Sequence, residues 1–363
     1  MKQYELFFLI FCLLSDVIFA QNIRIVGNTE QSITLTQPHP NLKLNAQNSS
    51  SDTQIIKLLN VELSENMQHL MHQRVDQALQ HSLHNANHVM ETYASPVVQK
   101  QLGMNSVPVL NQGQFGTFVT FAITAAMDAL IDQGDYISQL CSLQLGNYLE
   151  KKKKQPSGWD GTSAPVVLKQ LNTYGWFNQV NQKKYGCGGL KRYPYWSTPT
   201  TSISPELYSQ HSETLKSNGI SWRTLLKQHQ VASNTMDVNQ LVNDVKEALN
   251  TGHRVTFAVL LPRADLGTAG AVGWHDYFND TWMLTADIAE DIQSHKTLPG
   301  HEMVITGYDN NAVSMDARGH RHHGLFTLRN SWGAYVADWG DFYMTYDYFK
   351  TLVIDAQQIE VLK

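Results

Sequence analysis

The sequence predicts an α+β fold in two lobes, and three observations predict it. Apolar residues recur at three- and four-residue steps in segments up to about residue 250. Strand-like runs separated by turns take over from residue 301. An apolar, alanine-rich helix, Val119 to Leu130, directly follows a polar loop with two glycines, the layout of a buried helix fed by a functional loop. The 363 residues, 42% hydrophobic and 16% charged, suffice for a sizeable core in one large domain or two moderate ones. A net charge of -5 gives no electrostatic reason to expect nucleic acid or an anionic membrane as partner.

Residues 1–20 combine Lys2, an apolar run from Leu6 to Leu14 and the small Ala20 before Gln21, the pattern of a secretory signal peptide. The run is too short to span a bilayer, so no transmembrane segment is expected. The chain is therefore expected to be exported, periplasmic or extracellular, with Cys12 lost in processing. Residues 21–95 form an N-terminal extension, either a removable prosegment or an accessory element packed on the main domain. Alternation in its first part predicts short strands between Gln21 and Leu44, and Asn45 to Thr53 reads as a polar linker. From Ser64 to Ala94 apolar residues recur with helical spacing, Ser64 is the candidate N-cap and Pro96 lies just past the end. Five histidines, His69, His72, His81, His84 and His88, share this segment; a solvated polar face is the expected role, and no metal site is assigned to them.

Residues 96–363 form the main domain. Tyr136 to Glu150 is a second apolar-periodic run, closed by Lys151 to Lys154, a charge run suited to a helix C-terminus. Gly158 to Ser163 is turn-rich, Ala164 to Tyr174 reads as helix and Tyr185 to Tyr195 as loop. Helices are predicted at Ser221 to Gln230 and Val238 to Asn250, and a buried strand in V-T-F-A-V-L-L after Gly252. Strands follow at 301–308, 324–332 and 340–346, the sign of an antiparallel sheet or barrel. The mature chain keeps two cysteines, Cys141 and Cys187. In an exported protein a pair is often bridged, and two buried small hydrophobes remain the alternative.

The stretch Asn111 to Phe121, N-Q-G-Q-F-G-T-F-V-T-F, delivers one side chain to the start of the buried helix, where the macrodipole favours an anion such as a thiolate. The residue delivered is Phe118. Together with H-x-x-x-x-x-G-Y from His301 and N-S-W-G from Asn330, the stretch resembles the papain family of cysteine peptidases, with three motifs in the family's order over roughly residues 107–348. The resemblance implies a helical left lobe, an antiparallel barrel-like right lobe and a cleft between them. It implies Gln112 as donor to a developing oxyanion beside the backbone N–H of Phe118, His301 as general base, Asn330 as the residue orienting its ring and Trp332 as the shield of that hydrogen bond. It implies a peptide or protein ligand in the cleft and no cofactor.

Three departures stand beside the resemblance. The interval from Phe118 to His301 exceeds the roughly 130–150 residues usual for such enzymes, and a hairpin, Asp309 to His323, is inserted before Asn330; both read as surface insertions. Where the family bridges two cysteines, this chain has Phe115 and Trp159, and an aromatic contact between them is predicted. The loop around Trp159 resembles the family's substrate-backbone segment, which makes Asp160 and Gly161 candidate peptide contacts. The third departure is Phe118 itself, at the nucleophile position. Phenylalanine has no atom that attacks a carbonyl, so the covalent mechanism fails at its first step. One base change turns a cysteine codon into a phenylalanine codon, so the chain is expected to be inactive as written, and the sequence leaves three classes open: an active cysteine peptidase, if Phe118 is a recent or engineered change, a pseudoenzyme whose cleft binds peptide or protein without cutting, and a structural or interaction protein. The basic tip Arg318 to His323 is expected to be a solvated loop.

Overall fold

The computed structural model describes residues 22–35, 53–84, 97–194, 196–262, 271–272, 280–316 and 318–362. The leader at 1–20, the bulk of the polar linker, and the end of the predicted long helix with His88 lie outside the described residues. The chain opens with an antiparallel hairpin, β1 (Ile23–Thr34) and β2 (Thr53–Leu63), followed by α1 (Glu65–His84). Then come β3 (Gln99–Gln101), α2 (Phe118–Ile131), α3 (Gln139–Lys151), α4 (Ala164–Tyr174), α5 (Gln179–Tyr185) and α6 (Pro205–Ser209). The second half runs β4 (Ile220–Leu226), α7 (Gln228–Ala232), α8 (Val238–Asn250), β5 (Arg254–Leu260), β6 (Ala271–Val272), β7 (Thr281–Trp282) and α9 (Ala286–Ser294). It closes with β8 (Thr297–Met315), β9 (Arg321–Arg329), β10 (Asp341–Thr345), α10 (Tyr346–Leu352) and β11 (Val353–Val361).

The result is an α+β fold: helices cluster in the first part of the main domain, and a large, mostly antiparallel sheet in the second, ordered β4-β11-β5-β8-β9-β10-β7. The barrel expectation needs correcting. β4 and β7 end the path without pairing to each other, so the sheet stays open among the described residues. β8 is its spine. Its first part takes β2 and β5 on opposite edges, its middle takes β3 and β5, and its far part extends with β9 into the inserted hairpin.

Helix α2 is the core of the helical lobe. Its residues Phe118 to Ala129 are all buried, so it is apolar on every face, the state of a helix enclosed by other elements. It stops at Asp132, which turns left-handed at φ 57° and bonds back to Asp128. α1 begins as predicted, with Ser64 Oγ accepting from the Met67 amide at 3.3 Å. Its stripe Met67, Met71 and Val75 is fully buried, and it packs on α7, α9 and α10, with His72 bonded to the carbonyl of Ile292 at 3.3 Å.

Three elements differ from expectation. β2 went unpredicted because its burial alternation changes phase: Ile56 and Leu58 are buried, then Leu59, Val61 and Leu63. The helix predicted at Ser221 to Gln230 is instead strand β4 followed by the short α7. Ile220–Leu226 lies along the edge of β11, with Trp222 opposite Ile359 and Arg223 opposite Gln358. The Arg223 guanidinium donates to Gln358 Oε1 at 2.8 Å. A distant partner edge overrides a local pattern there. The tip at 318–323 is only partly solvated: Arg318 pairs with Asp287 at 2.9 Å and His320 with Asp316 at 3.0 Å, while His322 is buried.

Cys141 of α3 and Cys187 after α5 form a disulfide with Cα atoms 5.2 Å apart, within a buried cluster that includes Phe115, Trp159, Phe177 and Tyr208. The closed loop has a sequence separation of 46. Replacing both cysteines by alanine should lower stability by about 4 kcal/mol on the chain-entropy relation. The check is a urea titration, with the midpoint falling at unchanged slope; a loss below ~1 kcal/mol would mean that packing alone closes this loop.

Candidate active site

Two loops build the site by bonding to each other. The segment before α2 and the one after β9 join through an Asn111–Trp332 bridge, with Gln112 N–H donating to Ser331 O at 2.8 Å and Gly333 N–H to Leu110 O at 3.0 Å. Asn111 Oδ1 accepts from Gly113 N–H at 2.8 Å, an Asx turn, and Gly113 sits at φ 64°, a conformation glycine adopts without strain. The turn brings Gln112 inward, fully buried. Ser331 Oγ donates to its Oε1 at 2.7 Å, and its Nε2 donates to Phe115 O at 2.7 Å and reaches Lys57 O of β2 at 3.5 Å.

Phe118 is the first residue of α2 and is 1% exposed. Its ring meets that of His301 edge-on, with centroids 4.7 Å apart. His301 projects from β8, where it pairs with Val259 of β5. Its Nε2 bonds Asn330 Oδ1 at 2.8 Å, and its other face stacks on Trp332 at 4.7 Å and 27°. Since a carbonyl oxygen only accepts, Nε2 carries the proton, and Nδ1 is left buried with no partner among the described residues. Asn330 Oδ1 also accepts from Ser331 N–H at 2.7 Å, which fixes the amide. Phe118, His301, Asn330, Trp332 and Gln112, named from the sequence, thus share one buried locus.

Asp160 and Gly161 sit beside it, facing the β1–β2 hairpin. The Trp159 carbonyl accepts from Gly116 N–H at 2.9 Å, and a Cβ on Gly116 would stand 2.9 Å from the Asp160 carbonyl carbon, so the two loops touch through backbone. Asn28 Nδ2 approaches Asp160 O at 3.4 Å, and Lys57 Nζ stands 3.6 Å from its carboxylate, a weak pair because the Asp160 side chain is exposed. Leu59 covers Gly161 so closely that a Cβ there would be 2.0 Å from Leu59 Cδ2. Asp160 and Gly161 are thus covered by residues of the β1–β2 hairpin, Asn28, Lys57 and Leu59.

The predicted Phe115–Trp159 contact is present, edge-to-face at 5.2 Å. Sequence reasoning missed its third member. Tyr193 stacks on Trp159 at 5.6 Å, meets Phe121 at 5.2 Å, and its hydroxyl bonds Gln112 O at 3.0 Å and Thr117 Oγ1 at 2.9 Å. It lies in a glycine- and proline-rich loop, and no local pattern marks it. Two buried carboxyls were also missed, Glu302 next to His301 and Asp355 in β11. Burial, with Asp355 nearby, pushes the Glu302 carboxyl well above the carboxylate range, and burial raises Asp355 to about 6 despite the bond from Gln357 Nε2 at 2.9 Å.

No family model and no curated protein matches this chain. Solved structures similar to it include xylellain, a cysteine protease from Xylella fastidiosa, at 17% identity over 76% of this chain and 91% of that one, TM-score 0.47. Digestive procathepsin L 3 from Tenebrio molitor larval midgut is similar at 17% identity over 75% of this chain and 73% of that one, TM-score 0.43. Bromelain protease from Ananas comosus is similar at 14% identity over 74% of this chain and 100% of that one, TM-score 0.41. At these values no residue role passes from them to this chain, and the site stands on its own geometry.

Burial lowers the His301 imidazole to about 4, against the smaller opposing effect of the Asn330 bond. Because the folded value lies below the ordinary 6.5, the unfolded chain takes up this proton first, so His301 costs stability as pH falls from about 6.5 toward about 4. Histidine-ring NMR should show one imidazole that stays neutral until near pH 4, with the Nε2 proton in place. A midpoint at or above 6.5 for His301 would show that its ring reaches water or an anion.

Proposed function

We propose that this chain is an exported homologue of papain-like cysteine peptidases that does not cleave peptides, and that its cleft binds an extended polypeptide instead. One observation carries the proposal: Phe118 fills the nucleophile position at the start of α2, edge-on to a histidine oriented by Asn330 and covered by Trp332. A peptidase of this kind needs a thiol whose proton passes to the imidazole, giving a thiolate and imidazolium that stabilise each other. Phe118 offers neither proton nor charge, so His301 remains buried and neutral beside an apolar ring. The remaining groups could still orient a peptide. Export is supported by the Cys141–Cys187 disulfide, which suits an oxidising compartment, and by the leader pattern at 1–20. No helix among the described residues is long and apolar enough to cross a membrane.

The binding reading is favoured by what occupies the cleft. β2 hydrogen-bonds with β8 from Leu59 opposite Gly300 to Glu62 opposite Thr297, its Lys57 carbonyl lies 3.5 Å from Gln112 Nε2, and Leu59 lies on Gly161. The Lys57 carbonyl therefore takes the direction in which the Gln112 amide would meet a ligand carbonyl. With β2 in the sheet and α1 packed on α7, α9 and α10, we assign residues 21–95 as an accessory element that stays attached while β2 yields its place to a ligand strand, and 96–363 as the peptidase-like domain. A trace of protease should leave 22–84 bound to the rest of the chain through size-exclusion chromatography. Its release as a separate fragment would instead make it a detachable prosegment.

Restoring the nucleophile tests the remaining site. In Phe118→Cys the new thiol gains His301 as its base, so the His301 midpoint should rise from about 4 toward neutrality, and an alkylating probe should label residue 118. Turnover of a general peptide substrate should appear and vanish again in the Phe118→Cys, His301→Ala double variant. An unmoved histidine midpoint, with neither labelling nor turnover, would sink the claim that the residual site is competent. Cleavage by the unmodified chain would sink the claim of inactivity.

A further inference from the structure

Where α1 packs on the main domain, it encloses a cavity of about 310 Å³ together with the α7–α8 turn and α10. α1 supplies Arg74 and Gln77, the turn supplies Asn234, and α10 supplies Asp347 and Lys350. It shares no residue with the site at Phe118 and His301. We propose that this cavity binds the carboxylate of a small ligand with an aliphatic body, and that the bound ligand fastens α1 to the main domain. The proposal does not depend on what the cleft binds.

Arg74 is the group without a counter-charge. Its Nη2 donates to Val231 O at 3.1 Å and to Asn234 Oδ1 at 3.0 Å, both neutral acceptors. Its Nη1 is buried with no hydrogen-bond partner among the described residues. Burial lowers its pKa and no carboxylate opposes that shift, yet a guanidinium keeps its proton. A charged donor buried without an acceptor is costly and is ordinarily paired. The other charges of the cavity face each other, with Lys350 Nζ 3.5 Å from Asp347 Oδ1. The amides at the start of α8 are met as well, since Asp237 Oδ1 accepts from Asn239 N–H and Gln240 N–H at 3.0 Å. Two cations and one carboxylate line the cavity, so its excess charge is positive and falls to Arg74.

An oxyanion answers that charge, and the planar fork of a guanidinium matches the two oxygens of a carboxylate. The remaining walls decide which oxyanion. Ala78, Met236 and Val238 line the cavity, and the first two are half-buried against the core. They offer nothing to a bare inorganic ion and a surface to an aliphatic chain. The volume stands at the lower end of small-molecule sites, and at about 30 Å³ per water-sized group it takes a body on the order of ten heavy atoms. Because the walls come from three separate elements, a ligand that touches them all binds only while α1 is docked. Mass action then favours the docked state.

Sodium hexanoate titrated onto the whole chain tests the site, with 1-hexanol as the uncharged control and inorganic phosphate as the oxyanion without an aliphatic body. Saturation-transfer NMR should show saturable hexanoate binding, about ten-fold or more tighter than either control. It should weaken by a similar factor in Arg74→Gln and in Gln77→Glu, which sets a carboxylate one helical turn from Arg74. Hexanol binding as tightly as hexanoate would make the cavity an apolar groove, and phosphate binding as tightly would make it an inorganic-anion site; either result overturns the carboxylate assignment. Absence of saturable binding overturns it too, as does binding undiminished in either folded variant. Gln77→Glu keeps Arg74 and its bonds, so it decides alone should Arg74→Gln fail to fold. At about ten times the dissociation constant of hexanoate, amide hydrogen exchange in α1 should slow roughly ten-fold. Unchanged exchange with hexanoate bound would overturn the fastening of α1.

Discussion

The site depends on one constraint, the zipper between the loop before α2 and the loop after β9. Three bonds make it: the two backbone bonds of the Asn111–Trp332 bridge, from Gln112 N–H to Ser331 O and from Gly333 N–H to Leu110 O, and the Ser331 hydroxyl on the Gln112 amide. These loops belong to different lobes and are separated by more than half of the main domain. Their pairing sets the start of α2 against the end of β9, and with β8 alongside, Phe118, His301 and Asn330 have one arrangement available. Buried backbone groups must find partners, and here they find them only across the lobes. The lobes are locked by the same bonds that assemble the cluster.

How much of this was legible follows from the range of each signal. α2, α4, α8 and β5 are visible in sequence because their periodicity and their burial agree over a whole element. That Gln112, Phe118, His301, Asn330 and Trp332 come together was legible because each sits in a short motif and the motifs keep their order. Edge strands were not. β4 reads locally as helix, and only the free edge of β11, about 130 residues further on, makes it strand. β2 hides because its alternation changes phase at Leu58 and Leu59, where one face meets β1 and the main sheet takes over. Tyr193 and Asp355 were invisible for the same reason: what makes them matter is a neighbour that tertiary structure supplies.

The electrostatics of the cluster point in one direction. Burial keeps His301 neutral by lowering its pKa and keeps Glu302 neutral by raising its own. Without a thiolate there is no anion to hold an imidazolium, and without a cation there is nothing to hold two carboxylates, so the interior settles into its least charged form. Trp332, Trp282 and Phe342 pack behind His301 and exclude the water that would otherwise stabilise charge. A dry, neutral site of this kind packs well.

On the proposed reading, Phe118 has a second role besides lacking a nucleophile. Buried at 1% exposure against His301, its ring contributes on the order of 2–3 kcal/mol of apolar burial. A smaller thiol would give up part of that burial and leave a void, and its thiolate would have to draw a proton onto a ring that burial holds near a pKa of 4. Coulomb attraction between thiolate and imidazolium in a site this dry can offset the desolvation of both, but only if the pair forms as a unit. The β1–β2 hairpin sharpens the conflict, because it seals the cluster from water and so strengthens both the repulsion of single charges and the attraction of matched ones. Stability and chemistry make opposite demands on position 118. The aromatic ring meets the first demand at the expense of the second, and a cleft sealed by the chain's own strand is the architecture in which that exchange costs least.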